Sequence, residues 1–145
     1  MGSGAEIRDD GPGTGGVIPM RLVLDSTFVI DHLRGEAGAV DRLRRMFEDG
    51  DEPIVTEIVV CEVRAGLLPG DEPHLTALLE PLEFVQPGRE TAMLAGRMRA
   101  DLLRRGRTLA LGNALIAASA HHLGATVITR NVRDFTQTPI PIESY

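Results

Sequence analysis

Arg21-Leu22-Val23-Leu24-Asp25-Ser26-Thr27-Phe28-Val29-Ile30-Asp31 runs from an apolar strand through a single carboxylate into a helix. Leu22 to Leu24 are uninterrupted apolar residues, the signature of a strand covered on both faces. A helical pattern follows over 27–34 and another over 39–48. The same alternation continues outward. Ile54-Val55 reads as a short strand, and Thr56 is placed to cap a helix over 57–67 that Pro69-Gly70 ends. A short helix over 73–79 precedes a strand over 82–85. A long helix spans 89–105, with Ala92, Ala95, Met98, Leu102 and Leu103 near one face and Gly106 closing it. A helix over 113–123 is closed by Gly124, a strand covers 126–129, and 140–142 reads as an edge strand between prolines. Short apolar strands alternating with helices predict an α/β fold, a mostly parallel central sheet flanked by helices on both faces. In such sheets ligands gather at the carboxyl ends of strands, where Asp25 stands and where Asn131 to Asp134 follow a second strand.

Composition narrows the function. A chain of 145 residues with 43% apolar residues is expected to be one domain with a substantial core. One cysteine, Cys61, excludes an internal disulfide and a Cys-rich zinc site and points to a reducing, cytoplasmic setting. No apolar run approaches the ~20 residues of a membrane span. Residues 1–19 contain six Gly and two Pro and read as a disordered, added or mis-assigned leader; Met20, directly before the first strand, reads as the natural start, with one domain over 20–145. All 15 basic residues are Arg. Residues 1–83 carry 17 acids against 7 Arg, a balance of −10, whereas residues 84–145 carry 4 acids against 8 Arg, a balance of +4. The net charge of −6 does not advertise nucleic-acid binding, but the second half is locally suited to it.

Four positions stand out chemically. Asp25 ends the first strand; its bland reading is a helix N-cap. Glu62 shares a helical stripe with Ile58, Val59, Ala65 and Gly66 and is the one charge in it. A carboxylate buried there needs an Arg partner or a metal, because burial without a partner costs several kcal/mol or forces protonation. Asn113 leads a stripe of Ile116, Ala117, Ala120 and Gly124, with capping as the bland role. Asp134 follows Asn131, with capping or pairing to Arg130 or Arg133 as its alternative. His121 and His122 are adjacent, point about 100° apart and are read as partly buried rather than ligating. His32 and His74 read as surface residues. The acidic run Glu48-Asp49-Gly50-Asp51-Glu52 lacks the spacing of a calcium loop, and no Gly-rich phosphate loop follows the first strand.

Taken in order, four segments resemble the PIN-domain proteins, and specifically the VapC-type toxins of bacterial toxin–antitoxin pairs. They are Leu24-Asp25-Ser26-Thr27-Phe28-Val29-Ile30-Asp31, Thr56-Glu57-Ile58-Val59-Val60-Cys61-Glu62-Val63-Arg64-Ala65-Gly66, Asn113-Ala114-Leu115-Ile116-Ala117-Ala118 and Thr129-Arg130-Asn131-Val132-Arg133-Asp134-Phe135. The resemblance implies a PIN-like α/β/α sandwich and a magnesium- or manganese-dependent endoribonuclease. Its metal-binding acids fall on Asp25, Glu62, position 113 and Asp134, and these four are expected to converge. Thr27, Thr129 and Asn131 match its supporting polar residues. It further implies an RNA substrate, a homodimer and a VapB-type antitoxin. Position 113 departs from the pattern: Asn stands where the family usually has Asp, which removes a charge and leaves a weaker ligand. Natural variation and a deliberate change both produce such an Asn, and either impairs this copy. Arg104, Arg105, Arg107, Arg130 and Arg133 are candidates for holding RNA phosphates. With one Tyr and four Phe, stacking cannot dominate RNA recognition. The alternatives are a housekeeping RNA-processing PIN nuclease, a non-catalytic module binding RNA or a partner, and, disfavoured by the missing phosphate loop, a nucleotide-binding α/β domain.

Overall fold

The computed structural model describes residues 18–145; residues 1–17, most of the proposed leader, lie outside the described residues. The chain alternates β1 (Arg21–Leu24), α1 (Ser26–Leu33), α2 (Ala37–Glu48), β2 (Glu52–Thr56), α3 (Glu57–Ala65), α4 (Glu72–Leu79), β3 (Glu83–Val85), α5 (Arg89–Arg104), α6 (Leu111–Leu123), β4 (Thr126–Ile128), α7 (Val132–Phe135) and β5 (Ile142–Glu143). A 3₁₀ turn, Pro69–Asp71, leads into α4. The five strands form one parallel sheet in the order β3-β2-β1-β4-β5.

Leu22, Val23 and Leu24 are all 0–1% exposed. Successive strand residues point to opposite faces, so both faces of β1 are covered, as the unbroken apolar run predicts. Ile54, Val55, Val127 and Ile128 extend this core, and Phe28, Val29, Met46, Ile116 and Phe135 pack on it from the helices. A smaller core between α5 and α6 is built from Ala95, Leu102, Leu109, Ala114 and Ala118. Of the face expected on α5, Ala95 and Leu102 are buried, while Leu103 is 69% exposed.

Element boundaries shift by at most two residues from the sequence expectations. The largest shift that matters is at α6, which begins at Leu111 with Ala110 at its N-cap, so Asn113 is the third helical residue rather than the cap. Thr56 does occupy the N-cap of α3, but its hydroxyl makes no cap bond and is buried without a partner. The last strand is Ile142–Glu143, not 140–142, and it is an edge strand as expected. Glycines at Gly106 and Gly124 take φ of 74° and 62° where α5 and α6 end, conformations that residues with a Cβ resist. Among the described residues no helix is long and apolar enough to cross a membrane.

The strand order places the connection after β1 on one side and the connection after β4 on the other. The crevice between them, at the carboxyl ends of β1 and β4, is the switch point of this sheet, and side chains meet there from distant parts of the sequence.

Candidate metal centre

Asp25 occupies that crevice. Its backbone N–H continues the ladder to the Ile128 carbonyl at 3.0 Å, and its own carbonyl accepts the first bonds of α1, from Phe28 and Val29. Asp25 is thus at the N-cap of α1, yet its side chain makes no capping bond. The carboxylate turns into the crevice instead and is 2% exposed.

Its two oxygens are in different situations. Oδ2 accepts from the Thr27 hydroxyl at 3.0 Å and the Thr129 hydroxyl at 2.8 Å. Each threonine oxygen in turn accepts a backbone N–H, Arg130 to Thr27 at 3.1 Å and Asn131 to Thr129 at 2.9 Å. Those amides can only donate, so each hydroxyl proton is directed at Asp25. Oδ1 is buried and has no partner. A buried carboxylate oxygen left unsatisfied is costly unless a cation or donor completes it. The threonines fix the carboxylate in orientation and leave one oxygen facing the crevice.

Glu62 reaches the same place from α3. It was expected inside the core-facing stripe; the stripe is instead Val59 and Val63, at 0% and 1% exposure, and Glu62 lies on its shoulder with much of its surface open to solvent. One residue is about 100° of helix, so the neighbour of a buried Val63 turns out of the core. Its carboxyl end nevertheless enters the crevice. Partial burial pushes its pKa above the usual carboxylate value; a hydrogen bond from Ser26 lowers it and the Asp25 charge raises it further. Glu62 also lies directly over Gly112: a Cβ built there would stand 3.1 Å from Glu62 Cδ and overlap Oε2. Gly112 therefore permits close approach of α3 and α6, and it places the half-buried Asn113 next to the Glu62 end of the crevice.

Asp134 is half-buried on α7, one turn after Asn131, whose carbonyl accepts the Asp134 N–H at 3.0 Å. Asn131 is the N-cap of this turn without a side-chain cap bond. Neither capping nor pairing with Arg130 or Arg133 engages the Asp134 carboxylate among the described residues. Also among the described residues, no three Asp, Glu, His or Cys side chains are grouped closely enough to hold a metal ion. The structure brings together Asp25, Glu62, Thr27, Thr129 and the start of α6; it does not gather Asp134 with them into a three-acid cluster. Magnesium is ordinarily held by one or two carboxylates and several waters, so the Asp25–Glu62 pair with its unsatisfied oxygen suits a hard divalent cation.

The arginines divide into groups. α5 and α6 run antiparallel, with Thr91 Oγ1 2.7 Å from His122 Nδ1 at one end. Their connection, carrying Arg105 and Arg107, therefore lies at the end where Gly112 meets Glu62. Arg104 is paired with Asp101. Arg130 and Arg133 follow β4 at the crevice itself and are exposed. His121 and His122 are exposed rather than partly buried. Sequence reasoning missed Gly112, Ser26, Asp31 and Tyr145 as members of this neighbourhood; only Gly112, a glycine at the start of a helix, left a local signal.

A family model for the PIN domain matches residues 22–140. Ribonuclease VapC19 of Mycobacterium tuberculosis is 31% identical over 120 residues, covering 83% of this chain and 95% of the relative. Among solved structures, VapBC2 from Rickettsia felis bound to a promoter DNA fragment matches with a TM-score of 0.79 at 20% identity, over 87% of this chain and 99% of that one. The DNA-bound VapBC from Salmonella typhimurium matches with a TM-score of 0.71 at 25% identity, over 86% and 98%. With the sheet order, the crevice carboxylates and these matches together, the chain belongs to the PIN-domain family, among its VapC-type members.

Proposed function

We propose that this protein is a toxin endoribonuclease that cleaves RNA by metal-dependent phosphodiester hydrolysis, and that Asn113 impairs this copy. The observation that carries the reading is the unsatisfied, buried Oδ1 of Asp25 facing the crevice that Glu62 enters. Asp25 and Glu62 would hold magnesium or manganese, with the Asn113 amide and the Asp134 carboxylate reaching the ion through water. A bound cation of this kind supplies a water of lowered pKa and neutralises charge developing on a phosphate. Thr27 and Thr129 keep Asp25 in one rotamer, so its free oxygen is ready without rearrangement. Asn131 holds Thr129 in that role through its backbone N–H. Arg130 and Arg133 beside the crevice, and Arg105 and Arg107 on the α5–α6 connection, would hold phosphates flanking the cut; Arg104 is partly engaged by Asp101. The VapBC names of the matching structures support a VapB-type antitoxin as partner; a homodimer and a cytoplasmic setting belong to the same proposal. Residues 20–145 form the functional domain and 1–19 lie outside it.

A second reading, a module that binds RNA or a partner without cutting, draws on Asn113 alone. Asn113→Asp separates the two. The added carboxylate is expected to strengthen magnesium or manganese binding by about tenfold, roughly 1.4 kcal/mol for one further charge at a few ångströms in a partly solvated site, and to raise cleavage of a structured RNA panel. Unchanged metal binding and unchanged cleavage would remove position 113 from the site and leave the binding module as the better account.

A further inference from the structure

Asp31 is a buried carboxylate that the metal site does not use. It lies 3% exposed on α1. The Tyr145 hydroxyl donates to its Oδ2 at 2.5 Å, and Arg130 Nε forms an ion pair with the same oxygen at 3.5 Å. Tyr145 is itself fixed, its ring edge-on to Phe28 with centroids 4.9 Å apart. Burial first, and then the Asp31 hydrogen bond, keep its hydroxyl protonated far above the ordinary tyrosine range.

Arg130 is consequently held at two points. Its backbone N–H donates to the Thr27 hydroxyl, which donates to Asp25 Oδ2, so its backbone nitrogen stands two hydrogen bonds from the carboxylate whose other oxygen is free. Its Nε is held by Asp31, while the arginine side chain as a whole remains 56% exposed against 4% for Asp31. A guanidinium is a rigid fork with five donors; engaging Nε leaves the two terminal nitrogens presented as a pair. A terminal pair on a pre-oriented fork suits a tetrahedral oxyanion, and it is held without the entropy loss of ordering a free arginine.

We propose that Asp31, steadied by Tyr145, is a positioning residue that aims the Arg130 guanidinium at an RNA phosphate next to Asp25; the inference rests on the ribonuclease reading above. A buried Asp–Arg pair serving only the fold would make the same contacts, so the test must read RNA rather than stability. The full chain, in EDTA, is titrated into a fluorescein-labelled single-stranded RNA of about 20 nucleotides at several salt concentrations, with anisotropy as the readout. Arg130→Ala is expected to flatten the logarithmic salt slope by about 0.7 and weaken binding about fivefold at 0.1 M salt, as loss of one phosphate contact requires. Asp31→Asn weakens binding about threefold in the natural background and not at all in the Arg130→Ala background, since it acts through Arg130. Tyr145→Phe keeps the ring against Phe28 and gives a smaller loss with the same dependence, and it carries the cycle if Asp31→Asn does not fold. Asp31→Asn that binds RNA unchanged or more tightly, equal losses in both backgrounds, or an unaltered salt slope in Arg130→Ala would each overturn the proposal while leaving the ribonuclease reading intact. No salt-dependent RNA binding by the unaltered chain would overturn the proposal as well, while the ribonuclease reading, which requires the cation that EDTA removes, is judged by its own metal-dependent cleavage test.

Discussion

Gly112→Ala separates the metal centre from the fold, because it perturbs the first while favouring the second. The three nearest atoms that a Cβ at 112 would meet all belong to the Glu62 carboxylate, with Cδ at 3.1 Å and Oε2 nearer. Ordinary carbon contacts sit at about 3.5–4.0 Å, so the carboxylate must retreat by roughly 1 Å. The obstructing atoms are the end of a flexible side chain, and Glu62 is substantially open to solvent, so the retreat needs no backbone movement. In a helix, Ala is favoured over Gly by up to about 1 kcal/mol, less at an N-terminal position. The melting temperature should therefore stay the same or rise slightly. Metal binding should move the other way. For a charge of −1 and a divalent ion at an effective dielectric of about 20, drawing apart from 4 to 5 Å loses about 1.7 kcal/mol, somewhat more than tenfold in affinity. Calorimetric titration with manganese and a thermal melt on the same preparation read both quantities. A variant that binds manganese as tightly as the parent would refute the placement of Glu62 as a ligand. A variant whose melting temperature fell by several degrees would show that α3 and α6 cannot yield at this contact, contrary to the reasoning.

Three further outcomes are expected. Glu62 has its pKa raised in the folded, metal-free protein, so the folded state binds its proton more tightly than the unfolded chain; the associated stability is present below the ordinary value of 4.5 and is lost as pH rises through the raised value. Melting curves of the metal-free protein and Glu62→Gln over this window should therefore differ in pH dependence, and apparent manganese affinity should climb through the same window; parallel curves would contradict the shift. Arg42 is buried and binds Glu143 through two nitrogens, at 2.6 and 3.3 Å, tying α2 to the edge strand β5, so Arg42→Ala should destabilise by about 1–3 kcal/mol in urea unfolding, discounted because Glu143 is one-third exposed. Removing residues 1–19 should leave the melting temperature unchanged, given how little apolar surface they offer; a clear drop would show that they pack.

Local pattern was enough for the alternation of strand and helix, for the parallel sheet and for Asp25 at a strand end. An unbroken Leu22-Val23-Leu24, too short for a buried helix and followed at once by a helical pattern, reads as a strand covered twice, and helix periodicity with Gly106 and Gly124 behind it marks the helix ends. The four segments also carried the family, because their order along the chain is itself specific. What they could not carry is which atoms meet. Glu62 looked buried on a helical wheel, but a wheel gives direction around one helix and not how far a long side chain bends once another helix passes beside it. That Oδ2 of Asp25 is saturated and Oδ1 is free depends on Thr129, 104 positions away. That the buried Asp31 carboxylate is partnered depends on Tyr145, 114 positions away, and on Arg130, brought against it in space. Such pairings arise from how β1, β4 and the last residues of the chain stack in space, and hydrogen bonds at that sequence separation leave no periodicity to read. The sequence alone determined the sheet and the position of its reactive end; the tertiary structure decided which oxygen is free to bind and which arginine is held beside it.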